Sequence, residues 1–171
     1  MLSMVYGPCK WQEKIKFWDT LQGIAKSFGG SWLCMGNFNS VLYQEYKKGG
    51  KPVVRSSKGV LNEGLDENGL LDVGFAGNPY TWTNKRSGWA NSKERIDRAF
   101  ANQQWVMLFP RAVVKHLPLL ASNHAPIVLF TEGEHRGIRR LFKFEEIWTR
   151  DNNSLLVVEN AWNSLLDGSP A

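Results

Sequence analysis

Six residues of this chain have side chains able to handle a phosphate or a proton and a placement that would let them do so: Tyr6, Asn37, Asn39, Asp97, Asn123 and His124. Each falls at the end of a stretch that reads as a β-strand, or in the loop beyond it. A sheet fixes the backbone while its loops expose side chains, so one rim of a sheet is where such groups collect. His124 with Asp97 would form an imidazole–carboxylate pair, the acid selecting the ring tautomer and stabilising the imidazolium. Against that stand plainer roles. A lone loop histidine is more often solvated or capping, and Asn37 and Asn39 are more often turn formers than ligands. Trp82 and Tyr80 default to a core or a sheet face.

The elements that must position these residues follow from pattern. Leu2-Ser3-Met4-Val5-Tyr6 reads as a strand stopped by Gly7-Pro8. From 11 to 28 the apolar residues fall at 11, 15, 18, 21, 25 and 28, one face of a helix that Gly29-Gly30 ends. Trp32-Leu33-Cys34-Met35 is a buried-strand pattern, and it delivers Gly36-Asn37-Phe38-Asn39 at its end. This β-α-β order belongs to layered α/β folds. Residues 44–58 read as a loop made basic by Lys47, Lys48, Lys51, Arg55 and Lys58. A weak helix over 59–67 and a strand over 70–73 follow. Gly77-Asn78-Pro79 turns into a strand at 80–83, a second basic loop spans 84–93, and 95–100 is a further strand. Asn102 is placed to cap a short helix carrying Trp105. Strands at 112–117 and 126–130 flank Ser122-Asn123-His124.

Bulk properties narrow the class. At 171 residues the chain has the length of one domain, able to bury roughly 70% of its unfolded surface. A hydrophobic share of 43% with eight Trp and nine Phe argues for a packed core and against disorder. The net charge of +5 favours a polyanionic partner without naming one. Two cysteines make no disulfide framework, and with three histidines no spacing resembles a zinc site. No apolar run approaches the ~20 residues of a membrane span. These features point to an intracellular location and no membrane partner. After residue 131 the composition changes: Arg136, Arg139, Arg140 and Lys143 form a basic linker before a helical stretch at 155–166. The expected division is therefore 1–131 and 132–171.

Five fragments in order carry a resemblance. Met4-Val5-Tyr6-Gly7, Met35-Gly36-Asn37-Phe38-Asn39, Tyr80-Thr81-Trp82, Glu94-Arg95-Ile96-Asp97-Arg98 and Ser122-Asn123-His124-Ala125-Pro126 together resemble the endonuclease/exonuclease/phosphatase superfamily. Within it they are most similar to the endonuclease domain of LINE-type non-LTR retrotransposons. The likeness spans residues 2–131, and 142–148 with Ala161-Trp162 look like the connector that precedes a reverse transcriptase in such polyproteins.

The resemblance implies a four-layered α/β sandwich, here partial and lacking its N-terminal portion, and Mg²⁺- or Mn²⁺-dependent hydrolysis of DNA phosphodiesters in the nucleus. By motif, His124 stabilises phosphate charge with Asp97 as its carboxylate partner, Asn39 holds the phosphate or the attacking water, and Tyr6 contacts phosphate. Trp82 matches an aromatic near the nucleotide. Asn37 stands where the family has the aspartate that activates water, and Asn123 where it has an aspartate of the metal environment. The family's metal-binding glutamate has no counterpart. An amide nearly matches a carboxylate in shape, but it carries no charge and accepts no proton at neutral pH. Each replacement needs only one G-to-A transition, as decay of a retroelement copy would supply. The resulting expectation is a metal-dependent nuclease domain that is inactive in this chain. A residual nucleic-acid-binding module is the alternative, with Lys47, Lys48 and Arg95 of the basic loops on the phosphates; a non-functional pseudogene fragment is another. If those cations bind nothing, they are a solvated surface.

Overall fold

The computed structural model describes residues 1–53, the helical backbone of 55–60, residues 61–133, and Ser154, Leu156, Val157, Glu159 and Asn160 beyond them. It is mixed α/β. The chain divides into two units, Met1–Ile138 and Arg139–Ala171. In the second, the five described residues are helical; the basic linker and most of the expected connector lie outside the described residues. Among the described residues no helix is long and apolar enough to cross a membrane.

In the first unit, β1 (Leu2–Tyr6), β2 (Leu33–Asn37), β7 (Asp97–Asn102) and β4 (Leu70–Asp72) form one sheet in the order β1-β2-β7-β4. β1 runs parallel to β2, and the other two pairings are antiparallel. The β1–β2 crossover is α1 (Trp11–Ser27), as parallel strands require. Because side chains alternate along a strand, β2 serves two cores. Cys34 faces a cluster with Trp18, Leu21, Phe100 and, from α2 (Arg55–Glu67), Leu61 and Leu65. Leu33 and Met35 face a second cluster with Ala99, Ala101, Trp105 of α3 (Gln103–Leu108) and Val114 of β8 (Val113–His116). β8 pairs with β9 (Ile127–Phe130), whose Ile127 and Leu129 pack on the same cluster. Helices, sheet and hairpin thus make three layers. A small sheet of β3 (Lys47–Lys48), β6 (Lys93–Glu94) and β5 (Trp82–Thr83) stands apart from these.

Local signals fixed most of these elements. Asn102 Oδ1 accepts the Trp105 N–H at 3.0 Å, the N-cap its position predicts, and also the Trp32 N–H at 2.9 Å. Gly36 has φ +143°, and a Cβ there would lie 2.1 Å from the Val5 carbonyl oxygen, so only glycine permits β1 to approach this closely. Three expectations need correction. The helix expected at 59 starts at Arg55. Lys47 and Lys48 lie in a short strand rather than a loop. On α1 the buried face is Lys14, Trp18 and Leu21, while Trp11 and Ile15 are half exposed. A lysine at i, with Trp and Leu at i+4 and i+7, belongs to that stripe by spacing but not by type.

Candidate functional site

The rim of the main sheet assembles one row of side chains from three strands. β1 and β2 place Tyr6 opposite Asn37, and β2 and β7 place Asn37 opposite Asp97. Directly paired residues project to the same face, here the face that carries Met35 and Ala99 deeper in the sheet. Tyr6 is 80% exposed at the open edge, whereas Asn37 and Asp97 are buried.

His124 reaches this row from the loop before β9. Its Nδ1 lies 3.0 and 3.2 Å from the two carboxylate oxygens of Asp97. The carboxylate can only accept, so Nδ1 carries the proton and Nε2 is left for whatever occupies the rim. The loop is held by reciprocal backbone bonds to β5 and the residue before it: Thr83 N–H to the Asn123 carbonyl at 3.0 Å and Ala125 N–H to the Thr81 carbonyl at 2.7 Å. Thr81, fully buried, accepts the Ile96 and Asp97 N–H groups on its hydroxyl at 3.1 and 3.0 Å. One threonine therefore anchors both halves of the pair.

The amides do what amides at strand ends commonly do. Asn37 Oδ1 accepts the Asn39 N–H at 2.7 Å, and Asn39 Nδ2 donates to the Gly7 carbonyl at 2.7 Å. Asn39 itself has φ +47°, a left-handed conformation that asparagine tolerates. The turn reading of these two residues is thus realised, and it leaves Asn37 opposite Asp97 of the His124–Asp97 pair. Asn123 is exposed and Trp82 bridges to His124 through its backbone.

Lys14 is a rim residue that pattern reading missed. It is 5% exposed, and its Nζ donates to the Asn39 carbonyl and to Ser40 Oγ, both at 2.6 Å. Desolvation lowers its pKa from the ordinary 10.5, opposed by Cys9 and Glu94. Its place on the α1 stripe was the available signal. A cation beneath the Asn39 turn adds positive potential there.

Of the expected nucleic-acid contacts, Arg95 is a correction. It is 2% exposed, its guanidinium bonds Asp72 at 3.0 Å and stacks 4.1 Å over the Phe75 ring. Arg98, fully buried, takes the other Asp72 oxygen at 2.7 Å. Arg95 belongs to the core rather than to an exposed basic surface. Lys47 is paired with Glu94, while Lys48 is exposed.

A magnesium or manganese ion favours charged oxygen ligands. Among the described residues the cross-strand row offers one carboxylate, Asp97, already bonded to His124, and Asn37 Oδ1 is taken by a backbone N–H. Among the described residues no group of three or more His, Cys, Asp or Glu is placed to hold a metal. The described side chains of the rim do not fit that ion. Compared with protein-family models and with curated proteins, the sequence matches none.

Proposed function

We propose that the rim is the phosphodiester-handling centre of an endonuclease/exonuclease/phosphatase-type domain of LINE-retrotransposon kind, in which hydrolysis of DNA has been lost. One observation carries the reading: Tyr6, Asn37 and Asp97 lie in a single cross-strand row with His124 bonded to its inner end. Five separated sequence fragments converge on one rim, as a shared site requires.

The retained residues can bind and orient a phosphate. His124, its tautomer set by Asp97, offers Nε2, and Tyr6 offers an exposed phenol; Lys14 supplies positive potential from below. A divalent metal would supply charge neutralisation and an activated water in the parent activity. Neutral Asn37 cannot serve as a general base, and losing a positioned base costs about 10²–10⁴ in rate. The same proposal includes the remaining layers of the four-layered sandwich, a nuclear setting and a reverse transcriptase as neighbour in the parent polyprotein.

Plasmid nicking in Mn²⁺ tests it. The chain should leave supercoiled plasmid intact, and an Asn37→Asp/Asn123→Asp variant joined to an intact N-terminal half of such a domain should nick it. Nicking by the unmodified chain would overturn the loss of activity. Failure of the repaired protein, shown to be folded, would overturn the assignment of the rim.

A further inference from the structure

Away from the rim, the small sheet carries a feature that its own folding does not explain. Lys48 on β3 and Lys93 on β6 are direct cross-strand partners. Like charges so placed repel, and neither lysine has an acidic partner among the described residues. The neighbouring pair on the same strands, Lys47 and Glu94, is complementary. Arg86, from the β5–β6 loop, adds a third exposed cation beside them.

These three cations line an open pocket of about 450 Å³ together with Gly49, Asn91 and Trp89. Trp89 is 94% exposed. An indole of that size normally contributes its area to a core, yet the loop holds this one outward by a closed set of bonds. Asn84 Oδ1 accepts the Arg86 and Ser92 N–H groups at 3.1 and 3.0 Å, and its Nδ2 donates to the Ala90 carbonyl at 2.9 Å. Asn91 Nδ2 donates to the Arg86 carbonyl at 2.7 Å. The loop backbone that carries the indole is therefore set in advance, with little of it left to order on binding.

We infer that this pocket binds a single-stranded polynucleotide, one base stacking on Trp89 and adjacent phosphates lying between Lys48, Lys93 and Arg86. A polyanion cancels the Lys48–Lys93 repulsion, and an exposed indole gives a base a stacking surface that a base-paired duplex cannot use. Lys93 is four residues from Asp97, at most about 14 Å of chain, so a strand held here passes close to the rim. The inference stands whether or not the rim hydrolyses anything.

The test is fluorescence anisotropy of the whole chain with labelled oligo-dT, oligo-U and a duplex of equal length, at low and moderate salt. Either single strand, or both, should bind more tightly than the duplex; the better of the two identifies DNA or RNA as the source. Trp89→Ala should weaken single-strand binding about 5- to 150-fold, and Trp89→Phe should restore most of it. Lys93→Ala should reduce the slope of log affinity against log salt by about 0.7. Equal affinity for the duplex, no binding at low salt, or an unchanged affinity in folded Trp89→Ala would each overturn the inference.

Discussion

Asn37 on β2 stands directly opposite Asp97 on β7, and the His124 ring closes on Asp97 at 3.0 Å. The two side chains share one face of the sheet, one neutral and one charged. A second carboxylate at 37 would face Asp97 across the antiparallel pair, a repulsion worth roughly 0.2–1 kcal/mol. The Asn37→Asp/Asn123→Asp variant should therefore be slightly less stable than the parent without metal. Added Mn²⁺ should raise its melting temperature and broaden the His124 ring protons at concentrations at least tenfold below those needed for the parent. Thermal melts and proton NMR across a Mn²⁺ titration check this; equal broadening in both proteins would refute it.

Thr81 supports both strands of the pair. Thr81→Val removes the acceptor for two buried N–H groups, at Ile96 and Asp97. Leaving them unbonded should cost about 2–3 kcal/mol, read as a lower urea midpoint with an unchanged slope. Thr81→Ser, which keeps the hydroxyl, should lose less than half as much.

Acid sensitivity should come from two buried groups. Burial would raise the Asp72 pKa, but Arg95 and Arg98, with the Gly74 N–H, outweigh it and hold it below the ordinary 3.8. The stability Asp72 contributes is thus present above pH 3.8 and lost as pH falls through the lower folded value. His116 behaves likewise higher on the scale. Burial lowers its pKa from 6.5 against the opposing bond from Nδ1–H to the Asn78 carbonyl, so its contribution starts to fall below pH 6.5. Urea midpoints measured from neutral to acid pH should decline in these two windows. His116→Phe should flatten the upper one. Asp72→Asn should flatten the lower one and cost about 3–5 kcal/mol at neutral pH, because two buried guanidiniums lose their counter-charge.

Gly64 lies on α2 where that helix meets α1. An added Cβ would sit 2.2 Å from Cδ2 of Trp18, inside the indole. Alanine is the better helix former by roughly 0.5–1 kcal/mol, but overpacking a ring costs about 1–3 kcal/mol. The clash wins. Gly64→Ala should lower the denaturation midpoint, and a second change that shortens Trp18 (Trp18→Leu) should make the alanine neutral or favourable in that background.

Short-range information in the chain set out β1, α1, β2, β7, the Asn102 cap and the strand-end positions of Tyr6, Asn37, Asp97 and His124. Periodicity, capping and turn chemistry act over a few residues, so they can be read along a line. The tertiary structure decided which charges are free. Arg95 follows a basic loop in sequence, but Asp72, twenty-three residues away, draws it into the core. Lys14 breaks the apolar stripe of α1, yet the Asn39 carbonyl and Ser40 give its ammonium a buried place. Lys48 and Lys93 look alike among many surface lysines until strand register sets them face to face. Trp89, of a residue type that usually adds its area to a core, stands in water on the loop closed by Asn84 and Asn91. For Arg95, Lys14, Lys48 and Lys93 the deciding partner is distant in sequence, and its effect depends on register and burial, which no local pattern encodes.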